Sequence, residues 1–233
     1  MIAATWEQAV INKICDSALE AVNDIPDGAT ILVGGFSGAG VPDVLISALL
    51  EHGATDLTLV HNNAGNALLG VARLLAAGRV RKMICSFPRS WESHVFEGLY
   101  REGKVELECV PQGTLAERLR AGGSGLGGIF TPAGFGTDLA SGKEARVIGD
   151  RGYIFEHALT GDFSLVKARH ADRWGNLQYR MTARNFGPVM CMAAKTTIVE
   201  VDDVVPLGMM NPETIVTSGV FVQRVINLKK ETK

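Results

Sequence analysis

Between residues 29 and 121, short apolar runs alternate with helix-like segments, and this alternation limits the fold more than any other feature of the chain. The run "ATILV" (29–33) is continuously apolar, and "DLTLV" (56–60), "VRKMICSF" (80–87) and "KVELECV" (104–110) also read as strands. A run like the first suits a strand buried on both faces of a parallel sheet. Residues 42–51, 68–77, 91–101 and 114–121 read as helices, the first three closed by Gly53, Gly78 and Gly103. Pro42 and Asp43 suit the first turn of the first of them. A strand and a helix recurring about every 25 residues imply βαβ units. The expected fold class is α/β: an open, mostly parallel sheet with helices on both faces.

The flanks are less regular. Residues 6–22 carry an amphipathic pattern through Ala9, Ile14, Ala18 and Val22, predicting a helix, and Pro26-Asp27-Gly28 marks a turn. Residues 122–142 are glycine-rich and predict a long ordered loop, with strands following at 153–155, 163–168, 196–201 and 221–225. No linker or repeat divides the 233 residues, so a single domain over 1–233 is expected. A chain of this size buries about 70% of its unfolded surface and needs no staple.

Charge and cysteine usage exclude several classes. The net charge is −2 and no basic face is evident, which argues against nucleic acid as a partner. Cys15, Cys85, Cys109 and Cys191 are far apart and form no C-x-x-C, which fits a reducing, cytoplasmic setting rather than zinc binding. The five histidines lack metal spacing, so no metal site is expected. Neither a signal peptide nor a membrane span of about 20 apolar residues is recognised.

Four loops follow the predicted strands, and in an open α/β sheet ligands sit at the carboxyl ends of strands. The first, Gly34-Gly35-Phe36-Ser37-Gly38-Ala39-Gly40, could cradle phosphate, present a serine, or form a tight packing turn. It lacks the Lys-Ser or Lys-Thr of a P-loop and the glycine order of a dinucleotide fingerprint. A nucleophile elbow around Ser37 fails at Ala39. The second holds Asn62 and Asn63, whose amides could donate to a carbonyl or oxyanion, or simply turn the chain. The third, Ser86-Phe87-Pro88-Arg89, offers Arg89 for a carboxylate, or for pairing with Glu92. The fourth holds Gln112 and Gly113, with Thr114 and Glu117 spaced for a capping box. Together the loops make a binding edge without an evident nucleophile.

The motifs "DGATILVGGFSGAGVPDVLI", "GATDLTLVHNNAGN", "ELECVPQGTLAERLRAGGSG" and "FTPAGFGTDL" resemble the A (alpha) subunit of the family I 3-oxoacid CoA-transferases. "DRWGNLQYR", "ARNFGPVMCMAAKTTIVEVDDVV" and "GVFVQRV" extend the resemblance over almost the whole chain. The stretch around "CSFPR" is most similar to members that act on 3-oxoadipate rather than acetoacetate.

The resemblance implies that the nucleophile is a glutamate on a B (beta) subunit, in a Ser-Glu-Asn-Gly motif that this chain lacks. It further implies a heterodimer or dimer of heterodimers, with succinyl-CoA and a 3-oxoacid as substrates. Coenzyme A thioesters would then be substrates, and no permanently bound cofactor is expected. Carried over by position, Gly34, Gly35, Phe36, Ser37, Gly38, Ala39 and Gly40 match the coenzyme A segment. Asn62, Asn63, Gln112 and Gly113 match the groups that support the thioester and its oxyanion. Ser37 stands where many relatives have glycine. Arg89 is the candidate for the distal carboxylate of a dicarboxylic substrate.

Overall fold

The computed structural model describes residues 11–89 and 92–231. In its first half the order is α1 (Ala18–Val22), β1 (Thr30–Val33), α2 (Asp43–His52), β2 (Leu57–Val60), α3 (Ala72–Ala76), β3 (Val80–Cys85), α4 (His94–Arg101), β4 (Glu106–Cys109) and α5 (Gln112–Gly123). The second half adds β5 (Gly128–Thr131), β6 (Ala145–Ile148), β7 (Arg151–His157), β8 (Gly161–Ala171), β9 (Leu177–Gln178), α6 (Gly187–Ala193), β10 (Ala194–Val204), β11 (Arg224–Asn227) and α7 (Leu228–Glu231).

Among the described residues, eight strands form one sheet in the order β11-β10-β8-β1-β2-β3-β4, with β9 beside β8. All its pairings are parallel except that of β9 with β8. Strand side chains alternate between two cores. Ile31, Val33, Leu57 and Leu59 pack beneath α1 to α4, while Leu32 and Val60 pack with α5 and α6 on the other face. This explains the apolar run of β1 and the burial of all four residues of β2: both faces are covered there, whereas β4, at the edge, stays partly exposed and keeps Glu106 and Glu108. Each fully buried leucine or isoleucine contributes about 1.5–3 kcal/mol relative to exposure. Gly53 closes α2 in the left-handed conformation, φ 92°, its N–H donating to Leu49 O at 3.2 Å.

The sheet grows outward from β1 to β4, and the chain then returns to the other side of β1 through β8. The order therefore reverses between β1 and β8, and the loop that leaves β1 is the glycine segment. Helices diverge at such a switch point and leave a crevice at the carboxyl ends.

Several expectations need correction. Of the helix expected at 6–22, residues 6–10 lie outside the described residues, and of the rest only Ala18–Val22 is helical. Residues 13–15 are drawn instead against β11, Cys15 N–H donating to Val225 O at 3.0 Å and Val225 N–H to Lys13 O at 2.7 Å. The helix expected at 68–77 shrinks to Ala72–Ala76, because Ala67 (φ 47°) and Gly70 (φ 52°) turn the preceding backbone left-handed. The helix expected at 91–101 is seen as His94–Arg101; Trp91 lies outside the described residues. The glycine-rich stretch at 122–142 is not simply a loop. It supplies β5, which joins β7 and β6 in a separate antiparallel sheet of three strands among the described residues. The strand expected at 221–225 lies at Arg224–Asn227, after a 3-10 turn at Gly219–Phe221. No capping box forms at α5, which begins at Gln112 behind Pro111 with no side-chain cap. Glu117 pairs with Arg120 instead, at 3.1 Å.

Candidate active site

The glycine segment is a tight, closed turn. Phe36 and Ala39 exchange backbone hydrogen bonds of 3.0 and 2.9 Å, leaving Ser37 and Gly38 at the corners with φ 46° and 87°. Two positive φ values in succession define a primed turn, in which glycine or asparagine is favoured. Ser37 holds the first corner at a cost of about 1–2 kcal/mol. Gly40 is required by space: a Cβ there would stand 2.3 Å from Ala183 O.

The neighbouring loops lock onto one another at the carboxyl ends of β2 and β3. Asn62 O accepts the backbone N–H groups of Ser86 and Phe87, both at 3.1 Å, and Asn62 Oδ1 lies 2.9 Å from Ser86 Oγ. Asn63 Oδ1 accepts Gly65 N–H at 2.9 Å, a local Asx turn. Both asparagines are 5% exposed or less. Their oxygens are engaged by the chain, and no hydrogen bond from either Nδ2 occurs among the described residues. Those amides are the groups left to donate.

Gln112 and Gly113 are the first two residues of α5. The first helical bond here is Leu115 N–H to Pro111 O, at 2.8 Å. Residues 112–114 are thus ahead of the intrahelical ladder, where N–H groups and the positive end of the helix dipole favour negative charge. Thr114 Oγ1, buried in the same turn, has no hydrogen-bond partner among the described residues.

These elements meet. Phe36, Ser37, Asn62, Asn63, Ser86, Phe87 and Gln112 line an open cleft of about 280 Å³. A second hollow of about 240 Å³ shares Ser37 and Asn63 with it and adds Gly38, Asp43, His61 and Asn66. Gly34, Gly35, Ala39, Gly40 and Gly113 do not line the cleft. Nor does Arg89, whose Nε pairs with Glu97 at 3.3 Å rather than with Glu92. A larger hollow of about 490 Å³ lies elsewhere, between β4 and the small sheet. Its charges are satisfied internally: Glu108 pairs with Lys82 and Arg118, and Lys143 with Glu156. Burial opposes the charge of Glu108, but those two cations outweigh it and hold its carboxyl below the usual range.

Among the lining residues that sequence reasoning does not single out are Ser86, Phe87 and His61. Ser86 and Phe87 stand beside Arg89, whose charge is the stronger signal in that loop. His61 looks like one of five isolated histidines. It is 2% exposed, and its Nδ1 lies 2.7 Å from Val33 O. A carbonyl only accepts, so Nδ1 carries the proton and Nε2 is left with its lone pair. Burial pushes the His61 pKa down, and the bond to Val33 opposes this less strongly. Among the described residues no group of three or more His, Cys, Asp or Glu could hold a metal ion, and no helix is long and apolar enough to cross a membrane.

The fold is α/β with one mostly parallel sheet, and the amide-bearing cleft opens at the carboxyl ends of β1 to β4. More narrowly, the chain belongs to the coenzyme A transferase family, whose model matches residues 15–228. It is 58% identical to the A (alpha) subunit of 3-oxoadipate CoA-transferase from Pseudomonas putida, over 93% of this chain and 94% of that one. It is 45% identical to the corresponding subunit of a probable succinyl-CoA:3-ketoacid coenzyme A transferase from Bacillus subtilis, over 93% and 90% of the two chains. In fold it is similar to glutaconate coenzyme A-transferase from Acidaminococcus fermentans, with a TM-score of 0.82 and 18% identity over 92% of this chain and 75% of that one.

Proposed function

We propose that this chain is the alpha subunit of a two-subunit CoA-transferase that moves coenzyme A from succinyl-CoA to a 3-oxoacid, with 3-oxoadipate the preferred acceptor. The observation that carries the reading is the cleft itself. It gathers the glycine turn, both asparagines and Gln112 around a space rich in amide donors. Its hydroxyls, Ser37 and Ser86, lack the partners of a nucleophile. Ser86 Oγ is tied to Asn62, and the His61 ring is oriented by a carbonyl rather than by an acid. The 58% identity to a 3-oxoadipate CoA-transferase chain supports the choice of acceptor.

In this reading the succinyl-CoA carbonyl is attacked by a glutamate carboxylate of the beta subunit. The oxyanion collapses with expulsion of the CoA thiolate, leaving a mixed anhydride. The thiolate then attacks the glutamyl carbonyl, releasing succinate and forming a glutamyl-CoA thioester. The acceptor carboxylate repeats the sequence in reverse and leaves as its CoA thioester. Thioester is exchanged for thioester, so no ATP is consumed. Asn62, Asn63 and the Gln112-Gly113 turn donate to the oxyanion, and one such donor is worth about 10²–10³ in kcat.

Within the coenzyme A segment Gly34–Gly40, Phe36 and Ser37 at the cleft and Gly38 at the hollow beside it serve as the wall against which the coenzyme thioester lies. The other four residues shape the turn that presents them. Arg89 takes the distal carboxylate of the acceptor. Its side chain is 80% exposed, and an exposed ion pair such as that with Glu97 is worth only about 0–1 kcal/mol, so the guanidinium exchanges partners cheaply. We assign one domain to the chain, and its free thiols fit the reducing cytoplasm.

The test is to produce this chain and its beta subunit separately and assay CoA transfer alone and mixed. Activity that arises only on mixing, with higher kcat/KM for 3-oxoadipate than for acetoacetate, supports the reading. Transfer or ester hydrolysis by this chain alone overturns it.

A further inference from the structure

One side chain ties the glycine turn to a segment 150 residues away in sequence. Asn185 follows the 3-10 turn Met181–Arg184, between β9 and α6. Its Oδ1 accepts Gly35 N–H at 3.1 Å and Phe186 N–H at 2.7 Å. Its Nδ2 lies 2.9 Å from Ala39 O and 3.2 Å from both Thr182 O and Ala183 O. Gly35 and Ala39 stand at the two ends of the turn whose corners are Ser37 and Gly38. A single amide thus grips both ends, oxygen on one side and nitrogen on the other.

The backbone at this residue is strained. Asn185 has φ 21° and ψ −115°, outside the regions open to a residue with a side chain, and Met181 nearby has φ 47°. Such conformations persist where the surroundings over-determine them, and they collect at functional sites. Glycine, free of Cβ clashes, would be less strained here than asparagine, so backbone geometry alone does not select asparagine. What asparagine adds is the pair of opposed hydrogen-bonding groups that the turn uses. Ala183, two residues earlier, presses its carbonyl against Gly40 and closes the same contact from the far end.

We infer that Asn185 is a positioning residue for coenzyme A thioester binding: it sets the place and rigidity of the Gly35–Ala39 turn against the cleft. The inference rests on the reading that this turn receives the thioester.

The experiment uses the reconstituted two-subunit enzyme with Asn185→Gly, Asn185→Asp and Gly40→Ala. Asn185→Gly eases the Cβ strain while removing the grip, and a cooperative thermal melt checks that the variant is folded. Amide hydrogen exchange across 34–40 accelerates, and KM for succinyl-CoA rises about tenfold while KM for the 3-oxoacid stays within about threefold. Asn185→Asp keeps an oxygen for Gly35 but sets a carboxylate oxygen against three carbonyls, and gives the same KM split. A residue that merely shaped its own loop would leave KM for succinyl-CoA unchanged in Asn185→Gly, and that result overturns the inference whatever the exchange rate. Gly40→Ala separates the two levels. If it raises KM for succinyl-CoA and Asn185→Gly does not, only the role of Asn185 fails. If neither variant moves that KM, the turn's part in coenzyme binding fails with it.

Discussion

The Lys167 ammonium lies 3.2 Å from the Glu200 carboxylate, across a parallel pair of strands in which the two residues are in register. Glu200 is 0% exposed, and its other oxygen accepts the N–H groups of Val44 and Leu45 at 2.9 and 3.0 Å. These amides open α2, whose N-cap, Pro42, offers no side-chain cap. A carboxylate from β10 therefore caps the helix that the glycine turn leads into. Burial pushes the Glu200 pKa up, opposed by those same bonds. Removing it as Glu200→Ala strips two amides and an ammonium of their partner and costs about 3–5 kcal/mol. Glu200→Gln keeps an acceptor for the amides and costs less. Urea unfolding midpoints separate the two, and equal losses would contradict the capping role.

His61 makes the fold sensitive to mild acid. Its folded pKa is depressed below the ordinary 6.5, so over the interval between the two values the unfolded chain binds the extra proton. The stability it contributes is complete above about pH 6.5 and is lost as pH falls through the folded value. Thermal melts from about pH 7.5 to pH 5 should show this decline in the native chain and a shallower one in His61→Gln.

Gln112→Ala should lower kcat of the reconstituted enzyme about 10²–10³-fold, with a small change in KM, because an oxyanion exists only along the reaction path. A rise in KM with unchanged kcat would reassign Gln112 to ground-state binding.

Ser37 faces the cleft but is not expected to do covalent chemistry. Loss of a serine nucleophile costs about 10⁶ in kcat, whereas Ser37→Ala should cost at most about tenfold. Ser37→Gly relieves the φ 46° strain at the turn corner, and calorimetry should find it no less stable than the parent.

Arg89→Ala should raise KM for 3-oxoadipate about tenfold or more while leaving KM for acetoacetate, which has no distal carboxylate, within about twofold. Equal effects on both acids would remove Arg89 from the site.

The central βαβ units were legible because local chemistry and tertiary environment agree there. Leu57–Val60 is buried on both faces, and Gly53 caps α2 in the geometry glycine favours. Where the reading failed, the deciding partner lay far off. β5 exists because residues 128–131 pair with 154–157, which no local pattern announces. The segment at 13–15 gave up its helical pattern to bond with Val225. The site divides in the same way. Asn62, Asn63 and Gln112 could be grouped by the rule that strand ends share an edge. Ser86 and His61 carried no signal beyond adjacency to those loops, and Asn185 carried none, since its hold on Gly35 crosses the sheet's point of reversal.

The margins of the large sheet have a consequence for the life of the chain before it meets its partner. Its outermost strands, β4 and β11, are four residues each. Residues 13–15 already bond to β11, and β4 carries Glu106 and Glu108. Short, charged or covered edges are how sheets avoid templating further strands. The margins of the large sheet therefore offer a second copy little backbone to stitch onto, and the fully exposed β6 of the small sheet is the edge left for such pairing.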